Sequence, residues 1–393
     1  MELKGNKGEW SELYALLKLL ADGEIYAADE NMEKLEHLVF PILEILRQEK
    51  DKNLTYKING KIKLLDGLSN DLICEIDRAK FFEISTYVFE QVTSSKKGII
   101  NSKDFPNKEP FIEFLELAKI GNIKAKSKDK SDITIKIHDQ FTGGEPTLGF
   151  SIKSMLGQKS TLFNADPGTN FIFNVEGISL TPNEVKDINV DTYKTKKTKI
   201  GERINKIEQL GGSVIFQEVE GKVLDLNLRL IDGDLPEILA YMLKVRYLTG
   251  KSKLLELIDE LEKYNPLNYD LSYNHPFYRY KIIKFLYDAA LGMTAKTVWD
   301  GEIQANGGVI VVKKDGEVLA YHTYHKSKFE DYLLNNTRLE QPATNEDEGE
   351  PGTPETKEKY PNKKSIKKFL FGWLYFEDND LKIKANLQVR FIK

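Results

Sequence analysis

Two short segments hold the residues whose types and spacing could do chemistry. Ser131-Asp132-Ile133-Thr134-Ile135-Lys136-Ile137-His138 alternates polar and apolar residues, and Thr147-Leu148-Gly149-Phe150-Ser151-Ile152-Lys153-Ser154 does the same after a short gap. A period of two puts Ile133, Ile135 and Ile137 on one face of a strand, so Asp132, Thr134, Lys136 and His138 share the other. In the second strand Leu148, Phe150 and Ile152 face the core, while Gly149, Ser151 and Lys153 face away. If the two pair antiparallel around Asp139–Pro146, with His138 opposite Thr147, Asp132 falls directly across from Lys153 and Thr134 across from Ser151.

An acid beside an amine on neighbouring strands can be a simple cross-strand ion pair. It also meets the needs of phosphodiester hydrolysis, which requires an anionic oxygen ligand for Mg²⁺, activation of water, and positive charge where the phosphorus gains negative charge. Asp132 would hold the metal, the carbonyl of Ile152 would complete its coordination, and Lys153 would orient water and stabilise the phosphoryl oxygens.

The elements that must position these strands follow from periodicity. Ser11–Leu20 has helical spacing and is closed by Asp22-Gly23. Glu33–Gln48 and Arg78–Thr93 also read as helices, with strands at Thr55–Leu65 and Leu72–Ile76 between them. Leu235–Leu248, Lys253–Tyr264 and Phe277–Leu291 are expected helices. Gly308–Val312 and Glu317–Tyr324 flank Asp315-Gly316, a hairpin signal. A last hairpin is expected from Phe369–Phe376 and Leu381–Ile392, after a mobile loop at 340–365 rich in Glu, Pro, Thr, Asn and Lys. Interleaved helices and strands predict an α/β fold, a mixed central sheet flanked by helices. The expected division is a core over about 1–230 and a helical and hairpin region over 231–393 packed on it, although no clean linker precedes Glu340.

Composition narrows the class. With 40% hydrophobic and 30% charged residues in 393, the chain can bury a large core. A single cysteine, Cys74, excludes an intrachain disulfide, fits a reducing compartment, and reads as a small buried hydrophobe. No long apolar run suggests a membrane span, and the start does not resemble a signal peptide, so a cytoplasmic location is expected. A net charge of −4 argues against a protein that coats nucleic acid by bulk attraction. Lysines nevertheless crowd Lys119–Lys136 and Lys194–Lys199, and acids crowd Glu256–Glu262 and Glu346–Glu358, so a basic cleft on an acidic body is possible. There is no phosphate-binding Gly-rich loop for ATP-driven translocation, and His322 with His325 lacks a third zinc ligand.

The acid followed by the x-Lys strand resembles the PD-(D/E)XK nuclease signature, a loose pattern. More specific are Lys7-Gly-Glu-Trp-Ser-Glu-Leu-Tyr-Ala15, Tyr26-Ala-Ala-Asp-Glu-Asn31, Pro146-Thr-Leu-Gly-Phe-Ser-Ile-Lys-Ser154, Thr169-Asn-Phe-Ile-Phe173 and Asn386-Leu-Gln-Val-Arg-Phe-Ile392. Together they resemble the HpaII-type restriction endonucleases from the first helix to the last strand. Between about 194 and 291 the match is one of general character only.

The resemblance implies a PD-(D/E)XK-like core, Mg²⁺ as cofactor, double-stranded DNA as substrate, cleavage at a short palindrome, CCGG, and a companion methyltransferase acting on that site. With one cleft per copy, two strands are met either by a homodimer or by one copy cutting sequentially, and the sequence does not choose between them. One departure matters: Ser151 stands where most PD-(D/E)XK members carry Asp or Glu two residues before the lysine, and a hydroxyl is a poor Mg²⁺ ligand. The first helix of this fold commonly supplies a glutamate, which makes Glu12 the first choice for the second carboxylate. Asp166, in a turn 13 residues beyond Lys153, is the second, and Asp139 the third. Gln158, Lys159, Ser160, Asn164 and Asn170 after the catalytic strand, and His322, His325, Lys326 and Lys328 after the hairpin, are candidates to contact DNA. Two rivals remain: a repair or structure-specific nuclease of the same fold, and a catalytically silent DNA-binding module, for which Ser151 is the best evidence.

Overall fold

A computed structural model describes residues 2–50, 52–125, 131–140, 142–193, 199–341 and 372–392. In chain order the strands begin with β1 (Lys4–Asn6), β2 (Glu24–Ala28), β3 (Lys34–Gln48), β4 (Asn53–Asn59), β5 (Lys61–Asp66) and β6 (Leu72–Ile76). They continue with β7 (Ile99–Asn101), β8 (Ile133–Ile137), β9 (Thr147–Ser154), β10 (Thr161–Phe163), β11 (Asn170–Glu176) and β12 (Ser213–Val219). The last are β13 (Gly308–Val312), β14 (Val318–His322), β15 (Thr337–Leu339), β16 (Leu374–Glu377), β17 (Asp380–Asn386) and β18 (Val389–Phe391). The helices needed below are α1 (Lys7–Asp22), α2 (Arg78–Ser94) and α3 (Glu109–Leu117).

A nine-stranded mixed sheet runs β2-β14-β13-β9-β8-β3-β4-β5-β6, and β2 also pairs with β3. The strand carrying Lys153, β9, lies inside it, antiparallel to β8 and parallel to β13. The mixed α/β architecture expected from the alternation of elements is therefore present. The hairpin Gly308–His322, expected as a C-terminal addition, supplies two inner strands of this sheet. Val309, Val311, Leu319 and Tyr321 point into one apolar cluster, while Ile310, Val312, Val318 and Ala320 point into the other. The first cluster otherwise draws on Ala28, Met32 and Leu162 to Phe391, the second on Leu3 to Leu156, and residue 230 falls inside the stretch of the first.

The segment Glu33–Gln48, expected as a helix, is instead the long strand β3. Leu38, Phe40 and Ile42 are buried in alternation; the register then shifts between Ile42 and Glu44, and Ile45 and Arg47 take up the opposite phase. The bulge leaves Leu38, Ile42 and Ile45 at offsets of four and three, which mimics a helical stripe. Pro41, which a helix interior would exclude, sits at the handover from β2 to β8. Thr55–Leu65 is not one strand but the hairpin β4–β5, turning at Asn59-Gly60 with Gly60 at φ 71°. The expected strand Leu381–Ile392 divides: β17 joins a four-stranded sheet, β12-β11-β17-β16, and β18 a three-stranded one, β10-β18-β15. Among the described residues no helix is long and apolar enough to cross a membrane. Cys74 is only half-buried on the edge strand β6, its thiol near the Leu117 carbonyl. The loop at 340–365 and the acidic run Glu346–Glu358 lie outside the described residues, apart from Glu340 and Gln341.

Candidate active site

The hairpin β8–β9 forms, in a register two residues from the expected one: Lys136 pairs with Thr147 and Ile133 with Phe150. Continuing that ladder, the Asp132 amide donates to the Phe150 carbonyl at 2.8 Å, which sets Asp132 across from Ser151 rather than Lys153. A shift by two keeps every side chain on its face, so hydrophobic alternation cannot detect it. Gly149 admits the close approach, since a Cβ there would lie 2.8 Å from that of Ser131.

Among the described residues Asp132 and Lys153 form no direct ion pair; Ser151 links them. Lys153 Nζ donates to Ser151 Oγ at 2.9 Å, and that hydroxyl donates to Asp132 Oδ2 at 3.2 Å. The Ile152 amide donates to the same carboxylate oxygen at 2.7 Å. In a strand a residue's N–H and C=O point the same way, so the Ile152 carbonyl also faces the Asp132 side. Ser151, 2% exposed, is thus the strut of the constellation, where the general signature has an acid.

Glu12 arrives from α1. That helix starts at a capping box, with Asn6 and Glu9 satisfying each other's amides, and stops at Gly23 in the left-handed region. Trp10, Leu13, Leu16, Leu17 and Leu20 bury its apolar side, and Trp10 stacks obliquely on Phe105 and Phe111. Ser11 is tied to β9 by a buried 2.6 Å contact between its Oγ and that of Ser154. Because Ser11 Oγ donates to the Lys7 carbonyl, Ser154 must be the donor between the two hydroxyls. Glu12, next along the helix, is largely buried, and its carboxyl is pushed up to about 7 by burial and then by the nearby Asp132 charge. Lys153 is pushed down by burial, against the pull of Asp132 and Glu12.

Two carboxylates close enough to repel and a strand carbonyl make a hard-oxygen donor set that suits Mg²⁺, which binds through one or two carboxylates. A cavity of about 520 Å³ lies elsewhere, between α1, α2 and the turn at Asp315-Gly316, lined by Tyr14, Lys18, Phe82 and Phe89 among others. It shares no residue with the carboxylate pair.

The comparisons with known proteins give the family. Residues 6–391 match the family described as HpaII restriction endonuclease. The chain is also 39% identical over 388 residues to the type II restriction enzyme HpaII of Haemophilus parainfluenzae, covering 99% of this chain and 98% of that protein. The chain belongs to the HpaII restriction endonuclease family. It is accordingly a site-specific endonuclease of type II. No solved structure matches it.

Within this HpaII-family enzyme, other expected site residues fall apart. Asp166 caps the turn Pro167–Thr169 and pairs with Lys296. Asp139 is 2% exposed, accepts from the Thr142 hydroxyl, and lies within electrostatic reach of His322 and His325. Asn170, expected to reach DNA, is 1% exposed and locked between Glu220 and Asn386, so its amide serves the fold. His322 is likewise buried, stacked on Phe40, and accepts from the Tyr324 amide; burial pushes its imidazole down to about 4. His325 is half-buried against the same Phe40 ring. Lys326 pairs with Glu330 and lies over Tyr287, while Lys328 is exposed. Gln158, Lys159 and Asn164 are exposed, and Ser160 donates to the Ser154 carbonyl. Residues 126–130 of the lysine cluster and 194–198 lie outside the described residues.

Sequence reasoning missed Lys124. Its Nζ lies 3.1 Å from Glu12 Oε1, and it also feels Asp132 and Glu9. The dense lysines of that stretch were its signal, but nothing in their spacing singles one out.

Proposed function

We propose that this enzyme makes Mg²⁺-dependent double-strand cuts in DNA at a short palindrome, CCGG, using Asp132, Glu12 and Lys153 on a PD-(D/E)XK-like core. The observation that carries the reading is the convergence of Glu12 from α1, Asp132 beside β8 and Lys153 on β9, with Ser151 joining the last two. CCGG and the companion methyltransferase follow from the resemblance of the five segments quoted above; a cytoplasmic location rests on the sequence composition, and a homodimer on the need for one active site to meet two strands. The division into a core over 1–230 and a DNA-contacting region over 231–393 belongs to the same proposal.

Bound Mg²⁺ supplies a Lewis acid for the scissile phosphate and lowers the pKa of attacking water. Asp132 and Glu12 would hold it with the Ile152 carbonyl, while Ser151, with the Ile152 amide, fixes the Asp132 carboxylate so that its other oxygen stays available. Lys153 orients the attacking water and faces the phosphoryl oxygens. The water oxygen bonds to phosphorus as the P–O bond to one sugar breaks, and the proton that water gives up ends on the leaving sugar oxygen. Exposed Gln158, Lys159 and Asn164 follow the catalytic strand and are the favoured base or phosphate contacts; Ser160, His325 and Lys326 are secondary.

A plasmid digest with and without Mg²⁺ tests the function. Discrete fragments mapping to CCGG are expected only with the ion, and fragments mapping elsewhere would refute the specificity while keeping the chemistry. Lys153→Ala should lower cleavage by at least about a hundredfold and leave DNA affinity in Ca²⁺ nearly intact. If wild type and variant both bind and neither cuts, a silent binding module is the better reading.

A further inference from the structure

We infer that Lys124 is the built-in counter-ion of the carboxylate pair, a positioning residue that a divalent cation must displace from Glu12 on entering the site. The inference rests on the reading of Glu12 and Asp132 as the metal's ligands. Lys124 Nζ sits 3.1 Å from Glu12 Oε1, and Asp132 adds its attraction. The other ammonium of the site, on Lys153, donates to Ser151 instead.

Placement of Lys124 is built rather than incidental. Arg47 and Glu49, 7% and 8% exposed at the end of β3, pair at 2.6 Å. Arg47 then donates to the Asn122 carbonyl, and the Asn122 side chain donates to Glu49 at 2.7 Å. Ile120 and Ile123 are buried on either side. The backbone before Lys124 is thereby pinned, while its own side chain is half in water on a flexible stem. Such a lysine holds two like charges together without a metal, yet can swing away at small cost. A dication and an ammonium on one carboxylate repel each other and compete for its charge, so Lys124 weakens metal binding by the free enzyme. DNA phosphates offer the displaced ammonium a new partner, which couples metal loading to substrate.

Divalent affinity of the DNA-free, full-length protein decides the matter, with Mn²⁺ as the probe, measured by paramagnetic resonance on wild type, Lys124→Met, Lys124→Arg and Glu12→Gln. The expected result is binding about tenfold tighter in Lys124→Met, because one positive charge leaves the site. Lys124→Arg should stay close to wild type and Glu12→Gln should bind much more weakly. Equal or weaker binding in Lys124→Met, alongside the loss in Glu12→Gln, overturns the role of Lys124 alone. Unchanged affinity in Glu12→Gln instead removes the metal-site reading and the inference with it.

Discussion

At the site the fold opposes the ionisation of Glu12. Its ordinary value of 4.5 rises to about 7, first from burial and then from Asp132. A raised folded value favours the protonated form in the native state, so this group's contribution to stability is fully present below 4.5 and lost as pH rises through 7. In EDTA at pH 8, Glu12→Gln should therefore raise the melting temperature, with the gain vanishing near pH 4; a gain that does not change with pH would contradict this. The same protonation removes the proposed metal ligand, so cleavage at limiting Mg²⁺ should fall as pH drops below about 7.

At the scale of elements, the site depends on how α1 is fastened to β9. The contact from Ser154 to Ser11 lies one residue from both Glu12 and Lys153, and both hydroxyls are buried. Ser154→Ala leaves the Ser11 oxygen without its donor and the Leu156 amide without its acceptor, an expected loss of about 1–3 kcal/mol by denaturant titration. Because the helix then positions Glu12 less well, the metal requirement for cleavage should rise as well. A variant as stable and as active as wild type would show that the hydroxyl pair neither holds nor aligns the helix. Amphipathic spacing made α1 and its stop at Gly23 legible, and so did the paired strands β8 and β9. The register of those strands was not, because alternation repeats every two residues and a two-residue slip costs it nothing. Likewise β3 passed for a helix because its bulge reset the phase of burial midway.

For the whole molecule, the decisive feature is that β13 and β14, distant in sequence, close the central sheet between β9 and β2. Ile310, Val312, Val318 and Ala320 complete the core around α1, and the opposite faces of the same strands complete the other cluster. A fragment ending at residue 230 would leave β9 without its parallel neighbour and expose both faces to water. Such a fragment should lack a cooperative thermal transition by circular dichroism; a cooperative transition would mean that the first core stands without the hairpin. By itself the sequence determined the acid and amine strands, their polar faces, the helix that carries Glu12, and the mixed α/β class, since each is written in local periodicity. Only the tertiary structure decided that Ser151 joins Asp132 to Lys153, that Asn170 and His322 are interior residues, and that Lys124 meets Glu12. Those outcomes depend on register and on long-range contacts, which the order of side chains along a single strand or helix does not encode.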